Sequence, residues 1–436
     1  MFVTGRLAAL VAAGAVPLVL LSVAGVNPWA VFGGWLVLCA ALVAVDSAAA
    51  PSPRLLHLTR SAPARTRLGV PVQTTISVRN TGPRVLRGRL RDAWQPTAGA
   101  PATRERLDVD PGATQVLVVP LLPRRRGELR SEFVVVRSVG PMGLAGRQRR
   151  IDAPTAVRVL PPFTSRRHLA SRIARLNELD GATSVQVRGQ GTEFDSLRPY
   201  VRGDDVRSID WRATARAGAT MLRTWRPERD RHVVILIDTG RTSAARVGDG
   251  VRMDAAFEAA LLLAALAEHA GDHVHLLAFD RLVRARVSRV DGPSLLPAMV
   301  DALAPVEPSL LDTDWDAAFA AIRSLGVRPS LIVLLTAQDE PEASRGFLSA
   351  LPSVAAHTTV LVGTATDVAA EADAAAPPVD ADDVYRHAAA ARTVSDARRV
   401  AGAIDRAGAE PVAADPNALP VRIVDRYLAL KAHGRL

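Results

Sequence analysis

The sequence predicts an α+β multidomain chain: a transmembrane helical hairpin at the N-terminal end, a small β-sandwich, and a doubly wound α/β domain. Three features predict it. Two uncharged apolar stretches open the chain, short β-branched runs broken by turn residues fill the segment from about 67 to 160, and strand and helix patterns alternate after 231. A chain of 436 residues is too long for one compact core. An apolar content of 48% excludes a disordered chain, and the single cysteine, Cys39, excludes a disulfide scaffold. The reading divides the chain into 1–50, 51–162, 163–231 and 232–436.

Residues 7–26 carry no charge, nor do residues 28–45. Each can cross a hydrocarbon core of about 30 Å at about 1.5 Å per residue, the second by a narrow margin. Pro17 is expected to kink the first span. Only Asn27 and Pro28 punctuate the pair, so they read as a tight hairpin. The competing reading is a cleaved signal peptide with Arg6 as its basic start. Against it, a second apolar stretch follows at once. Arg6 precedes the hairpin, Arg54, Arg60, Arg65 and Arg67 follow it, and the turn has no basic residue. Both ends, and the bulk of the chain, are therefore expected on the cytoplasmic side of the cell membrane.

Charge is polarised. Residues 1–231 hold 35 basic and 17 acidic side chains, whereas 232–436 hold 19 and 27. Residues 51–91 contain nine arginines directly after the hairpin. They read either as a solvated polar face or as a surface attracted to anionic lipid headgroups. No aromatic platform accompanies them, so no nucleic-acid partner is expected.

Between 67 and 160, strands are expected at 70–80, 85–94, 113–122, 131–140 and 155–161, with turns at 80–83, 110–112 and 140–143. Strands at this spacing suggest a sandwich. Residues 165–179 place Leu169, Ile173, Leu176 and Leu179 at helical spacing, which makes a connector helix with a basic face. After 231, strands are expected at 232–238, 272–280, 282–288, 330–336, 357–363 and 410–414. Helices are expected at 253–270, 294–303, 315–324, 343–351, 384–407 and 418–430. The wholly apolar runs 233–237 and 331–335 look like central parallel strands buried on both faces. A sheet of this kind carries its site at the carboxyl ends of its strands.

The most distinctive stretch, 189–229, interleaves carboxylates with eight arginines between Arg198 and Arg229. It runs through Glu193, Phe194, Arg198, Tyr200, Gly203, Asp204, Asp205, Arg207, Asp210, Trp211 and Arg216. Internal salt bridges can hold such a segment together, and Gly203 before two aspartates suits a turn. Asp204 and Asp205 also fit general acid and base, or metal ligands. No GxxxxGK[ST], HExxH or GxSxG is present. His269 and His273 read as surface polar groups.

The string GQGTEFDSLRPYVRGDDVRSIDWRATAR resembles the signature of the family called domain of unknown function 58. The likeness continues in RRRGELR (124–130), VGPMGLAGR (139–147) and the terminal YLALKAHGRL. It implies a membrane hairpin, a β-rich domain, the signature segment and a von Willebrand factor A-like α/β domain. It also implies a MoxR-type AAA+ ATPase as partner. Domains of the A type carry a metal-ion-dependent adhesion site built from Asp-x-Ser-x-Ser, a loop Thr and a later Asp. Here Asp238, Thr242 and Thr313 fit that pattern, Gly240 replaces a Ser, and Ala337 stands where the later Asp belongs, with Asp339 beyond it. The site is expected to be degenerate, so no cofactor is assigned, and Mg²⁺, which prefers six oxygens, is expected to bind weakly. Restoring Gly240→Ser with Ala337→Asp is expected to raise affinity.

The leading expectation is a non-enzymatic, membrane-tethered protein-interaction adaptor in a chaperone-like envelope system. The alternatives are a metal-dependent enzyme built on Asp204, Asp205, Asp210 and Asp238, and a purely structural envelope scaffold. The partner surface is expected at the strand-end edge carrying Asp238, Asp312, Asp314, Asp339 and Glu340. Arg241 is the nearest basic residue in sequence, so that edge should be mainly acidic.

Overall fold

The computed structural model describes residues 1–102, 104–183, 193–201, 204–226, 231–248 and 250–436. The chain forms two compact units, Met1–Leu160 and Pro161–Leu436.

The first unit opens with a short strand β1 (Phe2–Val3), followed by α1 (Gly5–Ala13), α2 (Ala15–Val23) and α3 (Pro28–Ala49). α1 and α2 bury no residue, and the helical segments are long and apolar enough to cross a membrane. The kink expected from Pro17 appears as a break at Gly14. Proline has no N–H to donate to the preceding turn, so the helix restarts there. The close approach of α3 fills the break. A Cβ on Gly14 would overlap the Trp35 ring, and the Trp35 indole donates to the Leu10 carbonyl at 3.2 Å.

α3 does not end at its first charge. Asp46 is fully buried, and its carboxylate accepts backbone N–H groups of Met142, Leu144 and Ala145, each at 2.8 Å. Gly143 supplies the positive φ this turn needs, and a Cβ on Gly140 would collide with Asp46. Arg147 donates to the Ser47 and Ala48 carbonyls and Arg84 to that of Ala49. Two arginines thus satisfy the last carbonyls of α3, where positive charge also complements the helix dipole. On the other side of the hairpin, Thr4 Oγ1 donates to the Gly143 carbonyl, and β1 pairs with the edge of the sandwich.

The sandwich contains β2 (Leu56–Ser61), β3 (Arg65–Arg67), β4 (Val72–Asn80), β5 (Leu86–Trp94), β6 (Glu105–Val109), β7 (Thr114–Leu121), β8 (Gly127–Val139) and β9 (Ala145–Leu160). One sheet runs β1-β9-β8-β5-β6 with β3 on β9, and the other β2-β4-β7. Alternate residues face inward, so Ile76, Val78 and Val119 of one sheet meet Leu90, Val134, Val136 and Val157 of the other. Arg60, one of the nine arginines read as a solvated face or a lipid-attracted surface, points inward. It pairs with buried Asp92, whose carboxylate also accepts from Ser131 Oγ. Burial pulls the Arg60 guanidinium below its usual range against the opposing attraction of Asp92.

The second unit begins with α4 (Leu169–Thr183), the expected connector, which packs against two helices of this unit. A ribbon of β10 (Glu193–Pro199), α5 (Trp211–Ala217) and β11 (Met221–Arg226) follows; its strands pair with each other, and Leu222 also bridges to Ile209. Then come β12 (His232–Asp238), the short pair β13 (Arg246–Val247) and β14 (Gly250–Val251), α6 (Arg252–His269), β15 (His273–Phe279), β16 (Val283–Val287), α7 (Leu295–Leu303) and α8 (Trp315–Arg323). β17 (Pro329–Leu335), α9 (Arg345–Ala350), α10 (Pro352–Ala355), β18 (Thr359–Ala365), α11 (Val368–Ala375), α12 (Ala381–Arg406), β19 (Glu410–Ala414) and α13 (Leu419–Ala432) complete it. The sheet order is β16-β15-β12-β17-β18-β19, parallel except for the antiparallel edge strand β16. Trp315, Phe319, Phe347, Val400 and Ile404 pack on the face carrying Val234 and Leu236. α6 and α13 pack together on the other face. This is the doubly wound sheet the apolar strands predict.

At the amino ends of β12 and β15, three histidines meet. His232 Nδ1 lies 3.0 Å from His275 Nε2, the His232 and His273 rings stack at 5.3 Å, and His273 Nδ1 bonds Asp291 at 2.8 Å. His275 is buried. Burial first, then the neighbouring His232 and His273, and Arg286, lower its pKa, with Asp291 opposing. The folded chain therefore holds His275 neutral, while the unfolded chain takes a proton below about pH 6.5. The unfolded state binds more protons, so stability falls as pH drops through that value. Urea unfolding between pH 7 and 5 should show this decline, with a shallower slope in His275→Gln; identical slopes would remove the assignment.

Asp46 generates a second expectation. Asp46→Ala leaves three N–H groups without their acceptor and should lower the stability of the first unit by about 3 kcal/mol. Asp46→Asn, which keeps one acceptor oxygen, should lose less. Hydrogen exchange of the Met142 to Ala145 amides reads the effect, and unchanged protection in Asp46→Ala would refute the anchor.

Candidate functional site

β12 ends in Asp238 at the centre of the sheet, because a run of apolar residues buried on both faces carries the carboxylate to the carboxyl edge. Asp238 is 2% exposed. Its Oδ1 accepts from the Gly240 N–H at 2.8 Å and from Thr313 Oγ1 at 2.5 Å. Its Oδ2 accepts from Thr336 Oγ1 at 2.6 Å, with Thr242 Oγ1 at 3.5 Å, and its backbone carbonyl accepts from Ser243 Oγ. Gln338 Nε2 donates in turn to Thr336 Oγ1. Burial pushes the Asp238 carboxyl above its usual range, with the bonds from Thr313, Thr336, Gly240 and Thr242 opposing.

The loop between α7 and α8 is pinned to neighbouring strand ends by its backbone. Ser309 N donates to the Thr239 carbonyl, Arg241 N to that of Leu311, and Asp314 N to that of Asp280. Asp280, buried at the end of β15, accepts the N–H groups of Arg281 and Leu282 and Arg284 Nε at 2.8 Å. Burial alone would raise its pKa, but these donors together hold it below the usual carboxylate range. On this pinned loop Leu310 is 78% exposed and Leu311 half exposed.

Thr313 and Thr242 thus join Asp238 as the metal-site pattern requires, and Thr336, Ser243 and Asp280 are participants the sequence reading missed. Asp280 had the same signal as Asp238, an aspartate closing a buried strand. The set does not fit a divalent cation. Both oxygens of Asp238 are occupied by N–H and hydroxyl donors, the Asp280 carboxylate is engaged by Arg284 and two N–H groups, and position 337 is a buried alanine. Asp339 is not available as a substitute, because Arg252 pairs with it at 2.5 Å. Nor does Gly240→Ser restore a ligand, since a Cβ at this position would overlap Thr313 Oγ1.

The expectation of a mainly acidic edge is also corrected. Asp312 pairs with Arg241 at 3.0 Å and its carbonyl accepts from Arg281; Asp314 caps α8 through the Ala317 N–H. The neutralising Arg252, Arg281 and Arg284 come from other parts of the chain. The edge is a mixed-charge rim around exposed leucines.

The signature residues form a separate construction. Glu193 and Phe194 pair in backbone register with Arg226 and Trp225. Arg198 pairs with Asp204 at 2.6 Å, and Asp204 also accepts the Val201 N–H. Tyr200 N donates to the Thr220 carbonyl. Asp205 accepts the Arg207 N–H, and Asp210 caps α5 through the Arg212 and Ala213 N–H groups while pairing with Arg223 at 2.8 Å. The Ala213 N–H, followed by Arg223, holds Asp210 below the usual carboxylate range. Gly203 lies outside the described residues. Trp211 is 71% exposed, and Arg207 and Arg216 are exposed. Asp204, Asp205 and Asp210 are therefore occupied by turns, caps and ion pairs. Among the described residues no group of three or more His, Cys, Asp or Glu is placed to hold a metal.

Residues 196–395 match the family described as "Protein of unknown function DUF58". No curated protein matches the chain. Among solved structures, the VWA domain of SpRpn10 aligns over 45% of this chain and 94% of its own, at 11% identity and a TM-score of 0.28. A CARDB domain from Pyrococcus furiosus aligns over 24% of this chain and 86% of its own, at 15% identity and a TM-score of 0.19.

Asp238→Ala removes the acceptor for three hydroxyls and one N–H and should cost about 3 kcal/mol of unfolding free energy. Millimolar Mg²⁺ should leave the melting temperature of the wild type unchanged. Gly240→Ser with Ala337→Asp should lower that temperature instead of creating a cation site. A Mg²⁺ dissociation constant in the low micromolar range by calorimetry, in either protein, would overturn this account.

Proposed function

We propose that this chain, which carries a DUF58 family domain over residues 196–395, is a membrane-tethered, non-catalytic adaptor whose α/β domain binds a partner protein. The observation that carries the reading is the rim at the carboxyl edge of the sheet. Leu310 and Leu311 are exposed on a loop whose base is fixed by the Asp238 hydrogen bonds. An apolar projection with a charged surround is the form of a protein contact, where a small buried anchor supplies most of the affinity. The resemblance to the domain of unknown function 58 family supplies the partner, a MoxR-type AAA+ ATPase, and with it a chaperone-like role at the envelope.

The tether is the pair of apolar helices, spanning the cell membrane with both ends in the cytoplasm. Three features support spans over a removed leader. β1 precedes the first helix and pairs with β9, Thr4 bonds Gly143, and Asp46 ties the second helix to the same turn. Cleavage between the helices would strip an edge strand from a folded sheet. Exposed Trp29 at the start of α3 suits an interface, as aromatic belts do.

The test is capture of the purified ATPase by the full chain in detergent. Leu310→Ser with Leu311→Ser should weaken capture at least tenfold and leave the melting temperature within about 2 °C. Asp312→Asn should change mainly the association rate, as rim charges do. Equal capture by wild type and the double serine variant would eliminate the rim. Protease added outside intact spheroplasts should leave both units uncut; their digestion would reverse the orientation.

A further inference from the structure

Two exposed surfaces of the second unit have no role in the account above, and they are complementary. The first is the signature ribbon. Its described carboxylates Asp204, Asp205 and Asp210 are all engaged within the ribbon. Arg207, Arg212 and Arg216 are exposed and, among the described residues, make no side-chain ion pair. They flank Trp211 in sequence, and Trp211 and Val206 are themselves exposed. The aspartate network thus builds a support, and what it holds out is a tryptophan among arginines. Trp and Arg are the side chains that most often anchor protein contacts.

The second surface is the junction of α11 and α12. Residues 371–383 carry five carboxylates and no basic residue. Val379 is 90% exposed and Tyr385 78% exposed, while the buried residues Val400 and Ile404 lie in the last third of α12. Asp380 and Asp383 are taken by the helix cap, and exposed Arg386 pairs with Asp383. Glu371, Asp373 and Asp382 are exposed. An apolar pair within an acidic patch is what a basic, aromatic projection would seat on.

We propose that the Trp211 ribbon of one copy docks on the acidic α11–α12 junction of a second copy, so that the chain assembles head to tail. Both surfaces are exposed in the folded chain, so neither covers the other within one copy. Their charges are opposite, which steers encounter and fixes register. The contact joins two different patches, so it is heterologous and propagates into a ring or an open filament instead of stopping at a dimer. Confinement of tethered copies to one membrane raises their effective concentration, so a modest intrinsic affinity is enough. The proposal stands apart from the ATPase reading, which uses the Leu310 rim.

The test uses the full chain in detergent micelles. Sedimentation between about 1 and 100 µM should show concentration-dependent association beyond a dimer, weakening as salt is raised. Trp211→Ala should reduce association at least tenfold with an unchanged circular dichroism spectrum. Arg212→Glu with Arg216→Glu, or Glu371→Arg with Asp382→Arg, should each abolish it alone, and mixing the two charge-reversed proteins should restore association beyond a dimer, since both contacts of an alternating assembly are then complementary. In a Cys39→Ala background, Val206→Cys and Val379→Cys proteins should form a disulfide only when mixed. A protomer that stays monomeric throughout overturns the proposal. So does crosslinking within either single variant alone, which would mean a two-fold contact. Trp211-dependent binding to vesicles containing anionic lipid, without self-association, would assign the ribbon to the membrane and also overturn it.

Discussion

The α/β domain turns on one buried carboxylate. Asp238 closes the central strand where three segments converge, and each reaches it with a donor: Gly240 from its own loop, Thr313 from the loop before α8, Thr336 from the end of β17. A carboxylate in a dry site without a cation is costly, and the chain meets the cost with hydrogen bonds. That choice is written in two residues. Glycine at 240 lets Thr313 come close enough to bond Asp238 directly, and alanine at 337 keeps a second negative charge away. Oxygen donors that an adhesion-type site would turn towards a metal are turned here towards one another.

The same device recurs wherever the backbone must be held without regular structure. Asp46 ties a helix end to the Met142 turn, Asp280 organises the β15–β16 hairpin, and Asp210 caps α5 and reaches Arg223. In each case a carboxylate takes two or more backbone N–H groups, bonds that are stronger and more directional than those of neutral acceptors. Of these, Asp210 invites a catalytic reading in the sequence, because spacing gives no hint of which N–H groups it will meet. The number of such aspartates reflects turns to be fixed, in a chain whose cation supply is almost wholly arginine.

That explains what the sequence made legible. Strand 232–238 was placed to the residue because burial on both faces leaves an uninterrupted apolar signature; strand 410–414, a sheet edge with only Ala414 buried, was also placed to the residue, and the long helices to within a few. β2, β3 and β6 were missed, since each is short and shares its residues with arginine or acid. α11, an alanine-rich helix with no buried residue, was missed for want of periodicity. The three threonines and glycine around Asp238 were half legible: Thr242 and Thr313 by precedent, Thr336 not at all. The acidic edge was misjudged because Arg252, Arg281 and Arg284 reach it from helix and hairpin positions, and no local count of charge contains that information.

Rigidity is the thread joining the two units. In the first, the Met142–Ala145 turn is the receptor for Asp46, and the last carbonyls of α3 are capped by Arg84 and Arg147. The helices therefore enter the sandwich through specific bonds at both ends, where a simple anchor would need only a flexible linker. In the second, Leu310 and Leu311 sit on a loop fixed at three points, and Trp211 on a ribbon braced by its own ion pairs. Exposed apolar side chains on mobile loops lose conformational entropy when they bind, and those on braced loops have already lost it. In the reading proposed above, carboxylates brace the segments that hold out leucine and tryptophan, and the bracing is what lets a few residues on each surface carry the affinity.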